Sequence, residues 1–170
     1  MDFNSVAALS AAVAAFFSFV ALVLTYFQLR QFRFAHSVDL VFDLEHRFDA
    51  PEMINDRKLA ARALLAGICE QELEPVLDFF ETLGVFVSRH AVDEELVWNS
   101  FSYWILRYAA LAHGQIKARR KAETDNTYWQ EFESLVKCLT KIETKRRHLK
   151  SPPSFSKEQL DSFLVEEIAD

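Results

Sequence analysis

Glycine, proline and cysteine are all scarce in this chain of 170 residues, which holds three, four and two of them. So few turn formers exclude an all-β fold built on many tight turns. Two cysteines, Cys69 and Cys138, far apart in sequence, exclude a disulfide framework and a cysteine-based zinc site. As free thiols they suit a reducing compartment. There is no Gly-rich phosphate loop, no nucleophile elbow and no zinc-ligand spacing, so no cofactor and no metal is expected and a conventional enzyme is disfavoured. The most conspicuous absence is of charge. From Phe3 to Leu29 no side chain is ionisable as an acid or base of Asp, Glu, Lys, Arg or His type.

That uncharged run predicts a single transmembrane helix over residues 1–29, since nineteen apolar residues rise about 28 Å as a helix and match the hydrocarbon layer. A cleaved signal peptide would need a basic start, and only Asp2 precedes the run. Arg30 and Arg33 follow it directly, so the positive-inside bias predicts a bacterial inner-membrane protein with its carboxy-terminal domain in the cytoplasm. Ala7, Ala11, Ala14, Ser18, Ala21 and Thr25 recur at alternating spacings of four and three, a stripe of small residues suited to close helix–helix approach and homo-oligomerisation.

The remainder reads as all-α. With no Gly or Pro before Ala50, the first helix is expected to run on to about His46, with residues 30–50 as a stalk. A cytosolic bundle of residues 51–150 follows. Pro51 opens a helix of roughly 52–66 that Gly67 ends, and Pro75 opens another carrying Val76, Leu77, Phe79, Phe80 and Leu83. Asp93 is the expected N-cap of a helix of roughly 94–121. Thr127 with Gln130 reads as a capping box for the next. Residues 151–170 form a linker, Ser151-Pro152-Pro153-Ser154, and an acidic helix capped by Ser156 and Gln159, which docks in trans or stays mobile.

Sixteen phenylalanines and three tryptophans supply the core. The net charge of −6 divides unevenly. Residues 39–95 carry fourteen acidic and five basic side chains, residues 107–150 carry five and eleven, and residues 151–170 carry five and one. Acidic and basic faces of this kind can meet within a bundle or between copies, and nucleic acid is not the expected partner.

Three groupings bear on chemistry. Arg107-Tyr-Ala-Ala-Leu-Ala-His113 has an Arg-x5-His spacing that resembles the motif of HEPN ribonucleases, which implies His as acid or base and Arg as phosphate holder. Tyr108 stands where that family prefers another polar residue, and an interfacial Arg beside a solvated His is the expected reading. Asp39, Asp43 and His46 share a helix face but lack the partner motif of a di-iron site, so solvated charge is expected there. Lys117, Arg119, Arg120 and Lys121 form a basic face at a helix end.

The uncharged start, Arg47-Phe48-Asp49, Leu77-Asp78-Phe79-Phe80-Glu81-x-Leu83-Gly84 and Glu94-x-x-Val97-Trp98 together resemble a bacterial family of unknown function with one membrane helix and a cytosolic helical domain. The layout is also similar, in architecture only, to the membrane accessory protein of RNA-targeting CRISPR systems, which assembles as a pore. The resulting expectation is a homo-oligomeric, non-enzymatic membrane pore or permeability effector in phage defence. A membrane-tethered HEPN-like RNase and a membrane scaffold recruiting a cytosolic protein are the alternatives.

Overall fold

The computed structural model describes residues 3–67 and 71–169, with side chains from Phe16 onward. Among the described residues there are six helices and no strand: α1 (Phe3–Phe48), α2 (Pro51–Ala66), α3 (Glu74–Ser88), α4 (Glu94–Glu123), α5 (Gln130–Arg146) and α6 (Lys157–Ala169). The chain divides into two compact units, Met1–Ser37 and Val38–Asp170.

Local chemistry sets most helix ends. Pro51 occupies the first turn of α2, where a missing N–H costs nothing. Gly67 closes that helix at φ 68, a left-handed conformation that glycine reaches without steric cost. Asp93 accepts hydrogen bonds from the N–H groups of Glu95 and Leu96 at the start of α4. Ser156 and Gln159 form the reciprocal box before α6, with 2.9 and 3.3 Å bonds. The start of α5 differs from expectation. Thr127 instead donates to Asp125, and the free N–H groups of Glu131 and Phe132 donate to the carboxylate of Glu81 on α3, at 3.2 and 2.6 Å. A side chain from another helix therefore caps α5.

In the second unit, α3 packs chiefly on α5, α5 on α4, and α2 on α6. The α3–α5 approach is close at Gly84, where an added Cβ would sit 2.4 Å from the Glu131 carbonyl oxygen. Phe48, the last residue of α1, lies at the centre of the core. Its ring meets those of Phe79, Phe80, Phe101 and Trp104 at 5.2–5.8 Å between centroids. Phe80 continues the cluster to Phe132 and Tyr108, and Tyr108 to Phe163 of α6. The final helix is thus docked within its own chain, with Phe163 and Leu164 buried.

Among the described residues no helix is long and apolar enough to cross a membrane. From Phe16 the uncharged run continues only to Leu29 before Arg30, a rise of about 21 Å against a hydrocarbon layer of about 30 Å. The placement as a single-pass protein of the bacterial inner membrane, its carboxy-terminal domain cytoplasmic, is therefore corrected. That expectation counted an uncharged run from Phe3, and the part of it with described side chains falls short of a span. Ala7, Ala11 and Ala14 of the small-residue stripe, and Cys69, lie outside the residues so described.

Candidate functional site

The densest polar constellation in the helical domain is buried where α2, α4 and α6 meet. Arg57 of α2 is 4% exposed and Glu167 of α6 is 3% exposed. Arg57 Nε and Nη2 each donate to one carboxylate oxygen of Glu167 at 2.8 Å, a parallel two-bond arrangement that fixes both groups in plane. From α4, Trp104 Nε1 donates to Glu167 Oε1 at 3.0 Å and the Tyr108 hydroxyl donates to Oε2 at 2.9 Å. Four donors thus converge on one carboxylate. The other side of the guanidinium lies over the Phe48 ring, 4.4 Å from its centroid. Burial works against the charge on Arg57, but the hydrogen bonds and negative charge of Glu167 outweigh it and raise its pKa above the ordinary value. The four hydrogen bonds to the carboxylate offset the desolvation cost of burying the two ions.

Carboxylates serve all three tryptophans in the same manner. Trp98 donates to Glu143 at 2.7 Å and Trp129 to Asp78 at 2.8 Å, as Trp104 does to Glu167. Acidic side chains scattered through the sequence, two of them buried and Asp78 exposed, thus serve as acceptors for indole N–H groups that burial would otherwise leave without partners. Periodicity gives no hint of this, because Arg57 and Glu167 are 110 positions apart.

Arg107 and His113 are set apart by their surroundings. Arg107 donates to the Tyr103 carbonyl at 2.8 Å, and its guanidinium lies 3.7 Å from the Tyr103 ring centroid and 4.9 Å from that of Phe155. It borders a cleft of about 380 Å³ with Arg147, Lys150 and Gln159. His113 is exposed and borders a different, mostly apolar cleft of about 450 Å³, with Leu106, Val136, Thr140 and Phe155. Pro153, Ser154 and Phe155 line both clefts.

The basic face is divided as well. Arg120 donates twice to the Tyr128 carbonyl, at 2.9 and 2.6 Å, and pairs with Glu133. Arg119 pairs with Glu74 at 2.9 Å. Arg120 thereby ties α4 to the α4–α5 connection and Arg119 ties it to the start of α3, while Lys117 and Lys121 stay exposed. Asp39, Asp43 and His46 are exposed, and among the described residues no group of three or more His, Cys, Asp or Glu is placed to hold a metal. Cys138 donates to Glu94 at 2.9 Å, and burial, then that carboxylate, push its thiol up to about 11.

The first unit offers a surface of another kind. Phe16, Phe17, Phe19, Leu22, Leu24, Tyr26, Phe27, Leu29, Phe32 and Phe34 are all more than half exposed, with Leu22 at 70% and Phe32 at 73%. Ser18, Ala21 and Thr25 are exposed among them, and the Thr25 hydroxyl is turned onto the Ala21 carbonyl at 2.8 Å. That bond satisfies the hydroxyl within the helix and leaves an apolar surface.

No curated protein and no solved structure matches the chain. The family domain that does match covers residues 6–139, from within α1 to within α5, and so includes Arg57, Trp104 and Tyr108 but not Glu167. By this match over most of its length the chain belongs to the family defined by the domain of unknown function DUF4760.

Proposed function

We propose that the protein is a homo-oligomeric, non-enzymatic scaffold in which α1 joins copies of the chain and the helical domain is thereby presented in several copies to a protein partner. The observation that carries this reading is the exposed apolar surface from Phe16 to Phe34. Ten large side chains, each leaving roughly 100 Å² in water, amount to about 1,000 Å², beyond the few hundred Å² of a typical monomer's largest patch and near the size of a specific interface. Small residues at Ser18, Ala21 and Thr25 allow backbones to come close there. A pore would rest on a membrane span and is not part of this proposal. The RNase reading gains nothing from the geometry, since Arg107 is held by aromatic rings and opens on a different cleft from His113.

Sedimentation equilibrium of the full chain tests the scaffold. The parent is expected at a multiple of the chain mass, and a Leu22→Lys, Leu29→Lys, Phe32→Lys variant at the mass of one chain with its helical signal retained. A parent that sediments as a single chain rejects the proposal.

A further inference from the structure

The contacts of α6 differ from those of an ordinary core helix. Only Phe163, Leu164 and Glu167 are fully buried, while Lys157, Glu158, Gln159, Ser162, Val165, Glu166 and Ala169 face solvent. At thirteen residues it is marginal as an isolated helix. Its last turn carries Glu166 and Glu167 and no basic residue, a charge pattern that opposes the helix dipole. Helicity in α6 therefore depends on docking. Its tether, residues 147–156, contains Pro152 and Pro153, lies outside any helix and spans up to about 33 Å when extended.

The surface that receives α6 is built without it. Arg57 stands on α2 against the Phe48 ring, and Trp104 and Tyr108 stand on α4, all within the matched family domain, which ends at residue 139. With α6 lifted away, these side chains form a cationic fork flanked by an indole N–H and a phenol O–H. That is a carboxylate-recognition socket beside apolar ground for two side chains. Charge is complementary, since α6 carries Glu158, Asp161, Glu166 and Glu167 against one lysine.

We propose that this socket is a binding site for an acidic helix of the pattern Phe-Leu-x-x-Glu, and that its second occupant is α6 of another copy of the chain. The docked arrangement within one chain is then one of two that the same contacts allow. Residues 147–156 act as the hinge, and exchange of α6 links copies independently of α1. The tether holds the chain's own helix at an effective concentration on the order of millimolar, so exchange is slight until that helix is weakened.

A labelled synthetic peptide of residues 155–169 is the probe, titrated by fluorescence anisotropy against the full chain. Glu167→Gln in the chain keeps the shape of α6 but removes its charge, and should raise affinity for the peptide at least tenfold over the parent chain. A peptide carrying Glu167→Gln should bind that chain at least tenfold more weakly than the unaltered peptide. The full-length Arg57→Met chain, whose α6 has lost its own partner, should displace the peptide from the Glu167→Gln chain, and an Arg57→Met, Glu167→Gln chain should not. Association through α1 alone displaces nothing, so this readout stands apart from the mass measurement above. If the Glu167→Gln chain loses its helical signal, a parent chain cleaved at a protease site placed in the linker serves for the same titration. Equal binding of the two peptides overturns the socket. Peptide binding without displacement by the Arg57→Met chain overturns the second copy as its occupant.

Discussion

Replacing Glu167 by Leu puts an apolar side chain in its place on α6 and removes the acceptor shared by Arg57, Trp104 and Tyr108. Arg57 would retain only the Phe48 carbonyl, at 3.5 Å, while 4% exposed. Leaving one ion of a buried pair uncompensated costs roughly 3–5 kcal/mol. The molecule has one escape, which is to release α6 and let water reach the guanidinium. Release exposes Phe163 and Leu164, at about 1.5–3 kcal/mol for each side chain, or roughly 3–6 kcal/mol together. The two routes are of equal size, so a loss of about 3–5 kcal/mol is expected whichever is taken, with Tm lower by roughly 6–20 °C. Replacing both charges, Arg57→Met with Glu167→Leu, removes the stranded cation, and the loss of the Glu167 acceptor for Trp104 and Tyr108 costs about 1–3 kcal/mol. The double variant should therefore be more stable than Glu167→Leu alone by at least about 1 kcal/mol. Urea unfolding followed by circular dichroism measures all three. The reasoning is refuted if Glu167→Leu lies within about 1 kcal/mol of the parent, or if the double variant is the least stable of the set.

Gly84→Ala should lower stability by about 1–3 kcal/mol, because its Cβ would meet the Glu131 backbone oxygen at 2.4 Å and the helices must separate. Gly114→Ala, with nothing within 4 Å, should instead gain about 0.5–1 kcal/mol, and thermal unfolding of both variants separates packing from helix propensity. With its thiol pushed up to about 11, Cys138 should react with iodoacetamide at pH 8 about twentyfold more slowly than a free thiol, the lower thiolate fraction being partly offset by its higher nucleophilicity. Measured in a Cys69→Ala background, Glu94→Gln should speed that reaction, and no change would remove the carboxylate as a cause. Burial and the bond to Glu166 raise the Tyr103 pKa, so its contribution is complete below the ordinary tyrosine value and is lost as pH rises through the higher folded value. Tyr103→Phe should accordingly flatten the decline in stability above about pH 10. RNA incubated with the parent chain or with His113→Ala should be cut by neither, and cleavage lost in the variant would reinstate an acid–base role for His113.

Much of the helical order was legible because its causes are local. Pro51, Gly67, Asp93 and the Ser156–Gln159 pair act on backbone groups within three or four residues, so neighbouring sequence suffices to place those ends. The core was legible in kind, since apolar residues at helical spacing such as Val76, Leu77, Phe80 and Leu83 must be covered by something. What covers them is not a local property. Glu81 caps α5 from α3, and Gly84 is required by the path of α5 more than by its own helix, so neither role follows from the residues nearby. The uncharged amino-terminal run was plain to read, but among the described residues no helix is long and apolar enough to cross a membrane, and the span inferred from it did not survive. Arg57 and Glu167 carry no distinguishing signal in the sequence, one lying on a mixed helix and one in an acidic tail. Only the packing of α6 onto α2 and α4 removed both from water, and a charge removed from water must find its counter-charge and its hydrogen bonds within the fold.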